Sequence, residues 1–175
     1  MEIERKFTIK KLPENLEQYK KKEIEQAYLC SKPTVRIRKS NDDYILTYKS
    51  KLGLDKNVSV SARTCEEVEL PLTKKAYEHL KEKADGSVIS KTRYLIPIEN
   101  NREIELDIFH GYLEGLMFAE VEFSSQEEAA AYQMPDWFSE DVTFDKRYRN
   151  SFLAGFSSLE ELLAWNEDPY ENNED

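Results

Sequence analysis

Glu2, Glu4 and Lys6, in the opening run Met-Glu-Ile-Glu-Arg-Lys-Phe, are spaced so that a strand would turn all three to one face. The same period returns along the chain. Arg36 and Arg38 flank Ile37, Glu67 and Glu69 flank Val68, Lys91 and Arg93 flank Thr92, and Glu120 and Glu122 flank Val121, while Glu103, Glu105 and Asp107 alternate with Ile104, Leu106 and Ile108. Acidic pairs offer hard oxygen ligands to a divalent cation, and basic pairs offer charge-assisted donors to a polyanion. A closed sheet with both in its lumen would bring a metal ion and a phosphate chain together. Strands whose charged faces merely meet water would account for any one pair. They account poorly for nearly pure like-signed pairs, because like charges two apart repel unless something lies between them and solvent faces are usually mixed with Ser, Thr, Asn and Gln.

The 175 residues are 39% hydrophobic and 34% charged, with a formal net charge of −10. That length suits one domain with a substantial core, and the polarity suits a barrel with a wet interior. We expect a single domain over residues 1–165 and an acidic flexible tail over 166–175. No stretch approaches the roughly 20 apolar residues of a membrane span, and charge begins at position two in place of a signal segment, so a cytoplasmic protein without a membrane partner is expected. The acidic balance argues against sequence-independent nucleic-acid binding, which needs an excess of Lys and Arg. It leaves room for a small anion held by an enclosed basic cluster, where screening is weaker. Cys30 and Cys65 stand alone, with no spacing that suggests a disulfide framework or a zinc site.

Those charged pairs need strands to position them. Alternation predicts strands over residues 2–9, 24–30, 34–39, 43–50, 58–62, 65–70, 88–96, 103–109 and 117–123, a mainly antiparallel meander. Helices are expected over Pro13 to Lys22, over Thr73 to Ala84 with Thr73 as cap and Gly86 as stop, and over Ser125 to Tyr132 with Ser125 as cap and Glu128 three positions on. A last helix, Ser158 to Trp165, has Leu159, Leu162 and Leu163 in register. About eight or nine strands can close into a barrel whose lumen admits side chains or one small ligand. Burying so many charges unpaired would cost several kcal/mol each, so such a lumen calls for a ligand of both signs.

In order along the chain, Glu2-x-Glu4-x-Lys6, Arg36-x-Arg38, Lys49, Glu67-Val-Glu69, Lys91-Thr-Arg93-Tyr, Glu105-Leu-Asp107, Ala119-Glu-Val-Glu-Phe123 and Asp145-Lys-Arg-Tyr148 with Asn150-Ser151 resemble the CYTH superfamily, the triphosphate tunnel metalloenzymes. The resemblance spans residues 2 to about 154. It implies a mainly β (α+β) fold, an eight-stranded antiparallel closed barrel with helices packed outside, that binds a triphosphate with a divalent metal and cleaves a phosphoanhydride bond. Residue by residue, it implies Glu2, Glu4 and Lys6 as catalytic, with Glu2 or Glu4 orienting the attacking water. Lys6, Arg36, Arg38, Lys49, Arg63, Lys91, Arg93 and Arg147 would bind phosphate. Glu2, Glu4, Glu120 and Glu122 would hold Mg2+ or Mn2+, and Glu67, Glu69, Glu105 and Asp107 would orient the basic groups. Of Arg63, Lys146, Arg147 and Arg149, about two are expected to face solvent. The sequence departs from the family at Cys65, where similar members often carry an acid.

The expected activity is a metal-dependent inorganic triphosphatase acting on a small-molecule polyphosphate, with nucleoside triphosphate or longer polyphosphate as further substrates and oligomeric state left open. The alternatives are a class IV adenylate cyclase or thiamine triphosphatase, which would need Tyr28, Tyr44, Tyr48, Phe109 or Tyr112 to stack on an organic ring. A non-enzymatic polyphosphate-binding module would be marked by loss of the metal carboxylates. His79 and His110 are expected to be a surface and a turn residue, with no part in the chemistry.

Overall fold

A computed structural model describes residues 1–52 and 62–165. All but the last residue of the expected 58–62 strand, and the whole 166–175 tail, lie outside the described residues. The elements are β1 (Glu2–Ile9), β2 (Lys20–Cys30), β3 (Thr34–Ser40), β4 (Asp43–Ser50), β5 (Arg63–Pro71), α1 (Lys74–Lys81), β6 (Asp85–Pro97), β7 (Glu103–Phe109), β8 (Met117–Glu122), α2 (Gln126–Ala131), β9 (Phe138–Asp141), α3 (Asn150–Leu153) and α4 (Leu159–Ala164).

Eight strands run antiparallel in the order β5-β4-β3-β2-β6-β7-β8-β1, and β1 pairs back onto β5 to close the barrel. Closure depends on β1 sharing one edge between two partners. Its first residues, Glu2 to Glu4, face Cys65 to Arg63 of β5, whereas Phe7 and Ile9 farther along face Asp141 and Phe138 of β9. Its other edge carries β8, from Glu4 opposite Glu122 to Thr8 opposite Phe118. A closed sheet leaves no edge on its barrel strands to template aggregation.

Alternation then sorts the side chains. On the outside, Phe7, Leu106, Ala119, Val121 and Phe138 form an apolar cluster that includes Ala129 of α2, while Ala27 and Ile37 are covered by Tyr77 of α1. A third cluster has the opposite placement. Ile89, Phe109 and Phe118 share strand parity with the charged residues Arg93, Asp107 and Glu120, and they pack against Leu153, Ala154 and Leu162 of the C-terminal segment. Apolar burial thus surrounds the charged part of the lumen on its outer faces and floors it at one end. No helix among the described residues is long and apolar enough to cross a membrane.

Local signals set three of the helices. The Thr73 hydroxyl accepts from Ala76 N–H, Ser125 from Glu128 N–H and Ser158 from Glu161 N–H, each satisfying a donor the first turn leaves open. Two expectations fail. Residues 13–22 are not a helix: a single 3-10 turn at Leu16–Gln18 follows left-handed Asn15, and Lys20 to Glu23 instead extend β2 along Leu95 to Thr92 of β6. Strand pairing overrides the helical propensity of that lysine-rich run. Gly86 is not a helix stop either. It lies inside β6 at φ +69°, and a Cβ there would stand 2.2 Å from the Ala154 carbonyl oxygen. That close approach lets Ser87 N–H donate to Ala154 O at 2.7 Å and Ser87 Oγ donate to Phe156 O at 2.8 Å, while Tyr112 donates to Leu153 O at 2.9 Å. The clasp fastens α3 to the barrel. In α4, Leu162 is buried as its register suggested, but Leu163 is 75% exposed.

Gly86→Ala should therefore cost both left-handed strain and a backbone clash, about 2 kcal/mol or more in denaturant unfolding, with the largest rise in hydrogen exchange around residues 150–156. Wild-type stability in this variant would show that the close approach is dispensable.

Candidate active site

Lumen-facing residues of the barrel enclose a cavity of about 780 Å³ whose lining includes Glu2, Glu4, Lys6, Arg36, Arg38, Lys49, Arg63, Glu67, Glu69, Arg93, Glu105, Glu120 and Glu122. Strand parity brings these residues together from across the sequence.

The wall built by β6, β7 and β8 is balanced internally. Arg93 donates through Nε and Nη2 to the two oxygens of Asp107 at 2.7 Å and 2.8 Å, and Nη1 contacts Glu105. Lys91 Nζ donates to the same carboxylate at 2.6 Å and to Asn150 Oδ1 at 3.2 Å. Lys91 and Asp107 have no exposed surface, so the pair sits beneath the cavity. Burial pushes the Lys91 ammonium down to about 7 even with Asp107 beside it. Burial also works against the Asp107 carboxylate, but Arg93 and Lys91 hold it below the usual range. Lys91 and Lys6 rest over the Phe109 and Phe118 rings, at 5.4 Å and 4.7 Å, so the apolar floor gives the ammonium groups aromatic faces.

On β1 and β8 the carboxylates differ in how far they are neutralised. Glu2 accepts from Lys49 Nζ at 2.7 Å and 3.0 Å, and Lys49 also stands 3.5 Å from Glu67. Glu120 lies 3.3 Å from Lys6 and 3.9 Å from Arg93; despite burial, these cations and Lys91 hold it well below the ordinary carboxylate range. Glu4, directly opposite Glu122 in register, has Arg63 at 4.0 Å as its one ion-pair partner among the described residues. Burial and the Glu120 charge push it up to about 7. Burial, Glu2 and Glu105 raise Glu122 as well, and it makes no ion pair among the described residues. Two adjacent carboxylates that resist ionisation gain most from a cation. Among the described residues, no three acidic, histidine or cysteine side chains converge on one point, so no complete protein cage is preformed. Mg2+ and similar ions take one or two carboxylates and complete their shell with phosphate oxygens and water, and the donor set fits that mode.

The opposite wall, from β3, carries two cations that no carboxylate approaches closer than 4.0 Å among the described residues. Arg36 donates from Nη2 to Thr47 Oγ1 at 3.2 Å with Glu69 no closer than 4.0 Å, and its buried Nε has no partner among the described residues. Arg38 donates from Nε to Gln26 Oε1 at 3.0 Å, and burial together with Arg36 and Arg93 lowers it to about 9. A positive wall facing an acidic pair is arranged to take an anion and its counter-cation together.

Arg147 does not line this cavity. The left-to-right choice among Lys146, Arg147 and Arg149 is made by the 3-10 turn at Lys146–Tyr148, where Arg147 forks onto its own cap, Asp145, at 2.6 Å to 3.1 Å near the surface. Arg149, with Asn150 and Ser151, lines the cavity instead. Among the five candidate stacking rings only Tyr28 does so: Tyr44 packs against Tyr77 outside the barrel, Tyr48 is on the exposed outer face, Phe109 is in the floor and Tyr112 ties down Leu153. Cys65 is buried beside Glu2, its Sγ 3.6 Å from Oε1, and burial and Glu2 push its thiol up to about 11. Its chemistry is that of a small neutral neighbour. His79 is exposed, and His110 contacts Thr92 at the surface. Sequence reasoning passed over Gln26 and the role of Asn150 against Lys91; parity with Ile24 and Tyr28 was the available signal for Gln26.

Known proteins resemble this chain in sequence and fold. An inorganic triphosphatase from Nitrosomonas europaea is 36% identical over 157 residues, spanning 87% of this chain and 96% of its own length. Another, from Acetivibrio thermocellus, is 38% identical over 121 residues, spanning 69% of this chain and 71% of its own. The crystal structure of an inorganic triphosphatase superposes with a TM-score of 0.65 at 33% identity, covering 90% of this chain and 97% of that one. The CYTH domain pattern matches residues 1–149. With the match running through the barrel strands that carry the charged pairs, the chain belongs to the CYTH domain family.

Proposed function

We propose that the protein is a metal-dependent triphosphatase whose preferred substrate is inorganic triphosphate, with nucleoside triphosphates and longer polyphosphate as poorer substrates, and with Mg2+ or Mn2+ as the metal. The observation that carries this reading is one cavity that joins Arg36 and Arg38, which donate to the neutral Thr47 and Gln26 side chains, with Glu4 and Glu122, which stand opposite one another. A triphosphate bound there supplies the negative charge that the arginines lack. The kinship with two inorganic triphosphatases supports the same substrate.

In phosphoryl transfer the protein contributes chiefly position and electrostatics. Arg36 and Arg38 hold phosphate oxygens by forked donors, Lys49 and Lys6 add point charges, and Arg93, fixed by Asp107 and Glu105, presents a guanidinium that needs little reorganisation when charge develops. Glu4 and Glu122, with Glu2 and Glu120 beside them, would hold the divalent ion, which when bound supplies Lewis-acid stabilisation of phosphate oxygens. Glu2, whose carboxylate Lys49 keeps ionised, or Glu4 orients the attacking water. The cavity offers an organic ring little beyond Tyr28 and the Arg102-covered Phe123, so the phosphate chain rather than a base or thiazole provides the binding energy.

A substrate panel with Mg2+ and Mn2+ tests the assignment: triphosphate should be split into phosphate and pyrophosphate with a higher kcat/KM than ATP. Cyclic AMP and pyrophosphate from ATP, with triphosphate untouched, would assign the fold to a cyclase instead. For the metal, Glu122→Gln removes a charge at nearly constant shape, and activity at limiting metal should fall by about tenfold or more while the melting temperature holds. Full activity in a folded variant would remove Glu122 from the metal site.

A further inference from the structure

The tunnel holds its cations in two ways, and the difference isolates one residue. Arg93 and Lys91 are pinned by Asp107, and Lys49 by Glu2, each within 3 Å of a carboxylate oxygen. Those cations meet any ligand with part of their charge already spent. Arg38 has no carboxylate partner among the described residues; its Nε donates to the neutral side-chain amide of Gln26.

Gln26 is placed for that contact by the fold. It stands directly opposite Arg38 in the β2–β3 register and opposite Ile89 in the β2–β6 register, and it is completely buried. Its other amide atom is also committed, since Nε2 donates to the Tyr28 hydroxyl at 3.2 Å, and Tyr28 lines the cavity. An amide held at both ends cannot swing, so the guanidinium it meets is fixed through Nε. The Nη groups of Arg38, which lines the cavity, remain for a ligand.

Folding alone would favour an acid at this position. A carboxylate in place of the amide would have the same shape and would accept from Arg38 in a charge-assisted bond. The Tyr28 hydroxyl can rotate to donate to it, so no contact need be lost. The acid would also offset the repulsion of Arg38 by Arg36 and Arg93, both of which are close enough to it to lower its proton affinity. A neutral amide keeps that repulsion in the empty protein and preserves the full charge for an incoming anion.

We propose that Gln26 is a positioning residue for phosphate recognition, aiming the Arg38 guanidinium into the tunnel without neutralising it. The identity of the anion as a triphosphate rests on the functional reading above; the geometry of Gln26 and Arg38 does not.

Titration calorimetry of the metal-free protein with inorganic tripolyphosphate, steady-state kinetics with Mg2+, and melts of the unliganded protein test this together on Gln26→Glu and Gln26→Met. In Gln26→Glu, Kd should rise by about tenfold or more, KM should rise more than kcat falls, and the unliganded melting temperature should match or exceed wild type. Gln26→Met keeps the volume without the hydrogen bonds; it should also bind more weakly, by several-fold, but with a lower melting temperature. If wild type binds tripolyphosphate and both variants bind it within about twofold of wild type, Gln26 has no such role. A Gln26→Glu variant that loses affinity only in step with lost stability would likewise reduce Gln26 to a structural residue. If wild type neither binds nor hydrolyses tripolyphosphate, the functional reading falls first and takes this inference with it.

Discussion

A small barrel cannot enclose unmatched charge cheaply, and Asp107 is where this chain meets that constraint. Its single carboxylate, with no exposed surface, receives both Lys91 and Arg93. Desolvating such ions costs several kcal/mol apiece, and only close, well-directed pairing returns it. Because Asp107 and Glu105 balance one wall, the barrel can leave the β3 wall positive and the Glu4–Glu122 corner acidic without becoming unstable throughout. The apolar clusters outside the strands and beneath the lumen supply the favourable burial that offsets the remainder. The usual arrangement, with apolar groups inside and charges outside, is inverted over the upper part of the lumen and restored at its floor.

This division gives the cavity a direction. Cations that carry a carboxylate partner are rigid and already partly discharged, which suits holding a developing charge in place. Cations with neutral partners are poised to gain the most from an anion. The same reasoning separates the carboxylates: Glu2 and Glu120 are committed to Lys49 and Lys6, while Glu4 and Glu122 remain short of positive charge. The C-terminal segment completes the site at the floored end of the lumen, since the clasp at Gly86, Ser87 and Tyr112 carries Asn150 to Lys91 and Arg149 to the cavity wall.

What the sequence displayed and what it concealed follow from the reach of each signal. Strand period alone placed Glu2, Glu4, Arg36, Arg38, Glu120 and Glu122 on one side of their strands, because a period of two is a local property of the backbone. Capping at Thr73, Ser125 and Ser158 was legible for the same reason. The region after Pro13 was misread since the pairing of Lys20 to Glu23 with β6 is a long-range interaction that no local window contains. β9 went unseen because Phe138–Asp141 is too short to display a period and owes its place to β1. Arg147 was preferred to Arg149 because neighbouring basic residues in an aperiodic turn carry no parity. Gln26 escaped notice because charge was the signal being followed, and its contribution is to be uncharged.

The most direct measurement is a crystal structure of the protein with inorganic tripolyphosphate and Mg2+, frozen before turnover or trapped in Glu122→Gln. The triphosphate should lie inside the barrel, with oxygens within hydrogen-bonding distance of the Arg36 and Arg38 guanidinium groups and the Lys91–Asp107–Arg93 pairing intact. Triphosphate bound outside the barrel, or held in the lumen while Arg36 and Arg38 stay unengaged, would contradict the division of the tunnel into a balanced wall and an anion-binding wall.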